Sequence, residues 1–116
     1  MTLPRRRRWE RFRKVFPVTV SRDTSTAIAC STLDVCEGGI GIVCPRALEA
    51  GEEYGFDVPA LSATPIAGTV RWCTRAPDGG MHHIGVEFSR ITAAQVEDVR
   101  SAVERWKSEL PEPSDG

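Results

Sequence analysis

The chain has 116 residues, of which 41% are apolar and 27% charged. That is the make-up of one soluble globular domain, and it excludes two separate cores joined by a linker. The net charge of −1 is unevenly placed: residues 1–14 hold seven basic groups and one acidic, a net +6, and the remaining residues hold eight and fifteen, a net −7. Such an acidic body repels nucleic acid, while the cationic arm suits an anionic partner. No apolar run approaches the ~18 residues that cross a bilayer, so membrane insertion is excluded.

In chain order, residues 1–14 read as a flexible basic arm, 15–110 as a folded domain and 111–116 as a disordered tail. The arginine run imitates the start of an export signal, but the apolar stretch behind it is only Val15 to Val20 and contains Pro17. From there to Phe88, short runs of Val, Ile and Thr alternate with turn residues, which predicts strands over Pro17–Ser21, Thr26–Leu33, Ile40–Cys44, Glu53–Val58, Ile66–Thr74 and His83–Phe88. Pro77-Asp78-Gly79-Gly80 supplies a hairpin turn, and Asp34-Val35-Cys36-Glu37-Gly38-Gly39 reads as a tight turn. Six short strands with one buried face each predict a mainly β fold, a six-stranded antiparallel barrel that removes exposed edges, with an open sandwich as the alternative.

The period then changes. Val96, Val99, Val103, Trp106 and Leu110 recur at spacings of three and four, predicting a C-terminal helix. Thr92 to Gln95 matches a capping box, Ile91 and Val96 can staple across it, and Pro111 discourages continuation.

Two features carry chemistry. Arg7 and Arg11 form an Arg-x-x-x-Arg pair; from Arg5, Arg6 and Arg8 the same step lands on Trp9, Glu10 and Phe12. Downstream, Asp34, Cys36 and Gly39 stand in an Asp-x-Cys-x-x-Gly pattern. Guanidinium forks with a carboxylate and close backbone suit a ligand bearing guanine and phosphate. Taken alone, a basic arm is more often a solvated tail, and the Asp34 segment alone is an Asx-type turn; their order in one chain reverses those odds.

With the flanking Phe16-Pro17-Val18-Thr19-Val20, Gly39-Ile40-Gly41-Ile42, Ala50-Gly51-Glu52, Val70-Arg71-Trp72 and Ile84-Gly85-Val86-Glu87-Phe88, the chain resembles the PilZ domain family of bacterial cyclic di-GMP receptors. The resemblance implies that Arg7 and Arg11 clamp guanine edges and phosphates. It also implies that Asp34 accepts from guanine N1 and N2, and that Gly39 lets the backbone turn tightly and approach the ligand. Cys36 departs from the family's Ser. Arg6, just before the first motif arginine, is a further candidate contact and implies a stacked pair of ligands; Trp72 is a candidate base-stacking wall.

The implied output is ligand-driven ordering of the arm, which alters the binding of an unidentified effector protein. Its rival is a PilZ-type interaction module that no longer binds nucleotide, and a third reading, a barrel binding RNA or single-stranded DNA, is opposed by the acidic body. Cofactors and metals are expected to be absent. No Cys-x-x-Cys pair occurs among Cys30, Cys36, Cys44 and Cys73, which fit free thiols in a cytoplasm. His82 and His83 point to opposite faces of a strand and cannot readily share a metal. No nucleophile with an evident base stands out, so a receptor is expected rather than an enzyme.

Overall fold

The computed structural model describes residues 11–23, 26–77 and 79–109. Six strands, β1 (Pro17–Asp23), β2 (Thr26–Cys36), β3 (Gly39–Cys44), β4 (Glu53–Asp57), β5 (Ile66–Arg75) and β6 (His82–Arg90), precede one helix, α1 (Ala93–Glu109). The strands close into an antiparallel barrel in the order β1-β2-β3-β6-β5-β4, with β4 returning to β1. Closure gives each of the six described strands a hydrogen-bonded neighbour on both sides, which is how so short a set of strands hides much of its backbone polar surface.

Alternation sets the lining. Val18 and Val20 of β1, Tyr54 and Phe56 of β4, Ile66 and Val70 of β5, and Ile84 and Val86 of β6 are buried. In β3 the alternation is lost to the eye because Gly39 and Gly41 are buried as well as Ile40 and Ile42. Ile40 and Ile42 fill the core, whereas the two glycines lie beneath neighbouring groups on the outer side.

Each predicted strand is found, with altered ends. β2 continues through Cys36, three residues beyond the expected Leu33, and β6 spans His82 to Arg90. The tight turn expected from Asp34 onward is therefore strand for four of its six residues, and only Glu37 and Gly38 form the loop between Cys36 and its partner Gly39. The Asp34 strand survives because a bulge between Thr32 and Asp34 resets its phase. Between β5 and β6, Gly79 takes φ +81° in the predicted hairpin turn, a conformation that glycine adopts without a Cβ penalty.

The capping box forms as expected. Thr92 N–H donates to Gln95 Oε1 at 3.0 Å, and Gln95 N–H donates to Thr92 Oγ1 at 3.1 Å. The buried stripe comprises Gln95, Val99, Ala102, Val103 and Trp106; Val96 is only half-buried, and Leu110 lies outside the described residues. Gln95 also donates through Nε2 to Thr64 Oγ1 and to the Pro65 carbonyl, both at 2.9 Å, so one side chain caps the helix and pins it to the β4–β5 connection. Gln95→Ala is accordingly expected to cost about 1–3 kcal/mol in urea unfolding, because it removes one half of the cap and the hydrogen bonds that dock α1 on the β4–β5 connection.

At its far end α1 meets the start of the domain. Trp106 packs against Phe12 (ring centroids 5.8 Å) and Phe16 (5.7 Å), with the Lys14 ammonium 5.5 Å above its ring. Phe12 is 5% exposed, so the chain is fixed on the barrel before β1 begins.

Candidate functional site

The basic segment reaches the barrel through a short piece of extra pairing. Phe12 and Val35 exchange two backbone hydrogen bonds, of 2.8 and 2.9 Å. Just behind, the buried Thr32 hydroxyl donates to the Lys14 carbonyl and accepts from Phe16 N–H at 2.8 Å. These bonds fix where Arg11 must lie. Its Nη1 is 2.7 Å from Asp34 Oδ1, in a half-exposed ion pair.

The same Asp34 oxygen accepts from Gly41 N–H at 3.1 Å. A Cβ at Gly41 would stand 2.8 Å from that oxygen, so glycine is needed for the carboxylate to fold over β3. Gly39 answers to a different constraint from the one expected: a Cβ there would stand 2.1 Å from the Val86 carbonyl oxygen. Its φ is not in the left-handed region, so Gly39 serves the close approach of β6 rather than a tight turn.

Beyond β3 lies a groove of about 260 Å³, floored by Gly39, Gly85 and Val86. One wall carries Arg11 and Cys36, the other Arg71, Trp72 and Glu87. Cys36 is 4% exposed. A second bulge, between Val70 and Trp72, explains the far wall. The extra residue is Arg71, and it lets Arg71 and Trp72 both face outward, where strict alternation would send one of them into the core.

Trp72 is 48% exposed, and its indole lies over Gly85, where an added Cβ would come within 2.3 Å of the ring. Arg71 donates to Glu87 Oε1 across the strands.

Of the predicted site residues, Arg11, Cys36, Gly39 and Trp72 share this groove, and Asp34 is tied to it by Arg11. Arg6 and Arg7 lie outside the described residues. Arg71, Gly41, Gly85 and Glu87 carry no site role in the sequence reading, because their roles depend on cross-strand register and on two bulges that no local pattern announces. Glu37 lies 3.7 Å from Arg100 and so ties the β2–β3 loop to α1.

All four cysteines are free thiols. Burial, then the neighbouring Cys44, pushes the Cys30 thiol up, which keeps it protonated and unreactive. Among the described residues no three His, Cys, Asp or Glu side chains are grouped to hold a metal, and no helix is long and apolar enough to cross a membrane.

Solved structures share this architecture. The inhibitor of motility MotI/DgrA of Bacillus subtilis superposes with a TM-score of 0.73 at 20% identity, covering 93% of this chain and 55% of that one. The PilZ domain with c-di-GMP of YcgR from Escherichia coli gives 0.69 at 11% identity, covering 90% and 94%. MrkH of K. pneumonia, in a complex with c-di-GMP, gives 0.73 at 14% identity, covering 92% and 55%. The chain thus spans about half the length of MotI/DgrA and of MrkH. At these identities the likeness is one of fold, and no curated protein matches the chain. A family model described as PilZ domain matches residues 5–105. With that match over a six-stranded barrel, the chain belongs to the PilZ domain family.

Proposed function

We propose that this domain is a receptor for cyclic di-GMP, holding it through Arg7, Arg11, Asp34, Cys36 and Gly39, with Arg6 and Trp72 as further contacts. The observation that carries this reading is the Arg11–Asp34 pair at the rim of a groove with an exposed indole on its other wall. A guanidinium fork can donate two parallel bonds to guanine O6 and N7 or to phosphate oxygens, and Asp34 can accept from guanine N1–H and N2–H. Ligand phosphates offset the charge of the arm and draw it against the barrel, giving a surface that a partner protein reads. The chemistry is binding rather than catalysis. Two ligands per chain are expected, since Arg6 adds a third guanidinium for stacking.

Calorimetric titration of the chain with cyclic di-GMP tests the reading. Saturable heat at two ligands per chain is expected; a single ligand would remove the stacked pair, and no heat would favour an interaction module without nucleotide. Cys36→Ser is expected to tighten binding about tenfold, because a hydroxyl is a stronger donor and acceptor than a thiol. Equal or weaker affinity would take Cys36 out of the contact set.

A further inference from the structure

The far wall of the groove is built as a base-reading site, and none of the motif residues accounts for it. Trp72 has one indole face against Gly85 and is half-exposed, so the ring is a platform held flat on the barrel. Glu87 follows Gly85 by two residues on β6 and stands on the same outer face, at about 7 Å along the strand from the pitch of extended chain. Its carboxylate is not loose: Arg71, turned outward by the bulge, donates from Nε and Nη2 to Oε1 and orients it. At about 260 Å³ the groove falls below the ~300–1,000 Å³ of sites that enclose a whole drug-sized ligand, and so fits one base with the rest of the ligand outside.

We infer that Trp72 and Glu87 form a guanine subsite, in which a base stacks on the indole and presents N1–H and the N2 amino group to the Glu87 carboxylate, held by Arg71. This rests on the cyclic di-GMP reading above, in which Asp34 takes the edge of one guanine, and assigns Glu87 as the residue that distinguishes guanine from adenine at a second base. Guanine offers two adjacent donors on that edge. Adenine offers an acceptor at N1, which a carboxylate repels, so discrimination comes from an unpaired polar edge as well as from a bond gained.

The test is calorimetry on the full chain with cyclic di-GMP, cyclic di-AMP and the mixed guanine–adenine dinucleotide, for wild type and Glu87→Gln. An amide carries one acceptor where the carboxylate carries two. Glu87→Gln is therefore expected to lose about 10–100-fold in cyclic di-GMP affinity and to narrow the gap to cyclic di-AMP by a similar factor. If Glu87 only tempered the local charge, the same substitution would tighten binding of every anionic dinucleotide, and that result overturns the subsite. Trp72→Leu is expected to weaken guanine and adenine ligands alike by about tenfold or more, leaving their ratio unchanged. Wild-type affinity and selectivity in Glu87→Gln would overturn the subsite while leaving the receptor reading intact. Failure of the wild-type chain to bind cyclic di-GMP would overturn both.

Discussion

Arg11→Ala is expected to weaken cyclic di-GMP binding by more than about 100-fold while the barrel stays folded. Each hydrogen bond from a charged donor contributes about 1.5–3 kcal/mol, and a guanidinium fork makes two of them; losing both corresponds to at least two decades in Kd. A second cost adds to the first. Arg11 pairs with Asp34 at 2.7 Å, so its removal leaves that carboxylate facing incoming phosphates with no cation beside it. Stability should hardly change, because the ion pair is half-exposed and such pairs contribute about 0–1 kcal/mol. Phe12, not Arg11, makes the packing contact with Trp106 and the backbone bonds to Val35. Arg11→Lys is expected to recover little, since an ammonium cannot make the planar two-bond contact or stack on a base. Arg7→Ala is expected to behave like Arg11→Ala. Calorimetry beside thermal unfolding checks both halves of the claim, and wild-type affinity in both alanine variants would overturn the clamp.

What the sequence discloses and what it hides divide along a physical line. Strand positions, the Thr92 capping box and the Trp106 stripe were legible because each depends on residues close together in the chain, where alternation and cap chemistry act directly. The setting of Asp34 differs from the expected one: Asp34 to Gly39 reads as a turn, yet Asp34 lies in β2, and the glycines at 39 and 41 are there for what lies across from them. Gly39 yields to the Val86 carbonyl and Gly41 to the Asp34 carboxylate. Arg71 and Glu87 were passed over for a related reason. Val70-Arg71-Trp72 predicts alternate faces, and only the bulge puts the last two side by side, Trp72 opposite Gly85 and Arg71 within reach of Glu87. The proposed site gathers where the regular period breaks, and a break in period is what local pattern cannot place.

Phe56→Ala is expected to cost about 3–5 kcal/mol, the largest loss of stability from any single side chain considered. Phe56 is wholly buried in β4 and is the largest of the fully buried side chains, with Tyr54 meeting it edge-on at 6.3 Å between centroids. The space it fills is provided by a glycine. A Cβ at Gly68 on β5 would stand 3.1 Å from the Phe56 ring and 2.6 Å from Val86 Cγ1. Against a total stability of about 5–15 kcal/mol for a domain of this kind, losing the ring should shift the urea midpoint severely. Gly68→Ala alone is expected to destabilise by about 1–3 kcal/mol through overpacking. In the double variant the added methyl enters the space that the ring has left, so the two costs should sum to less than their separate values, with an interaction energy above about 0.5 kcal/mol. Val86 links this core to the groove, its side chain touching the Gly68 site and its carbonyl lying over Gly39. The double cycle is therefore best run with cyclic di-GMP titration alongside unfolding. Strict additivity would mean that Gly68 is glycine for the sake of Val86 and the groove floor rather than of the Phe56 ring.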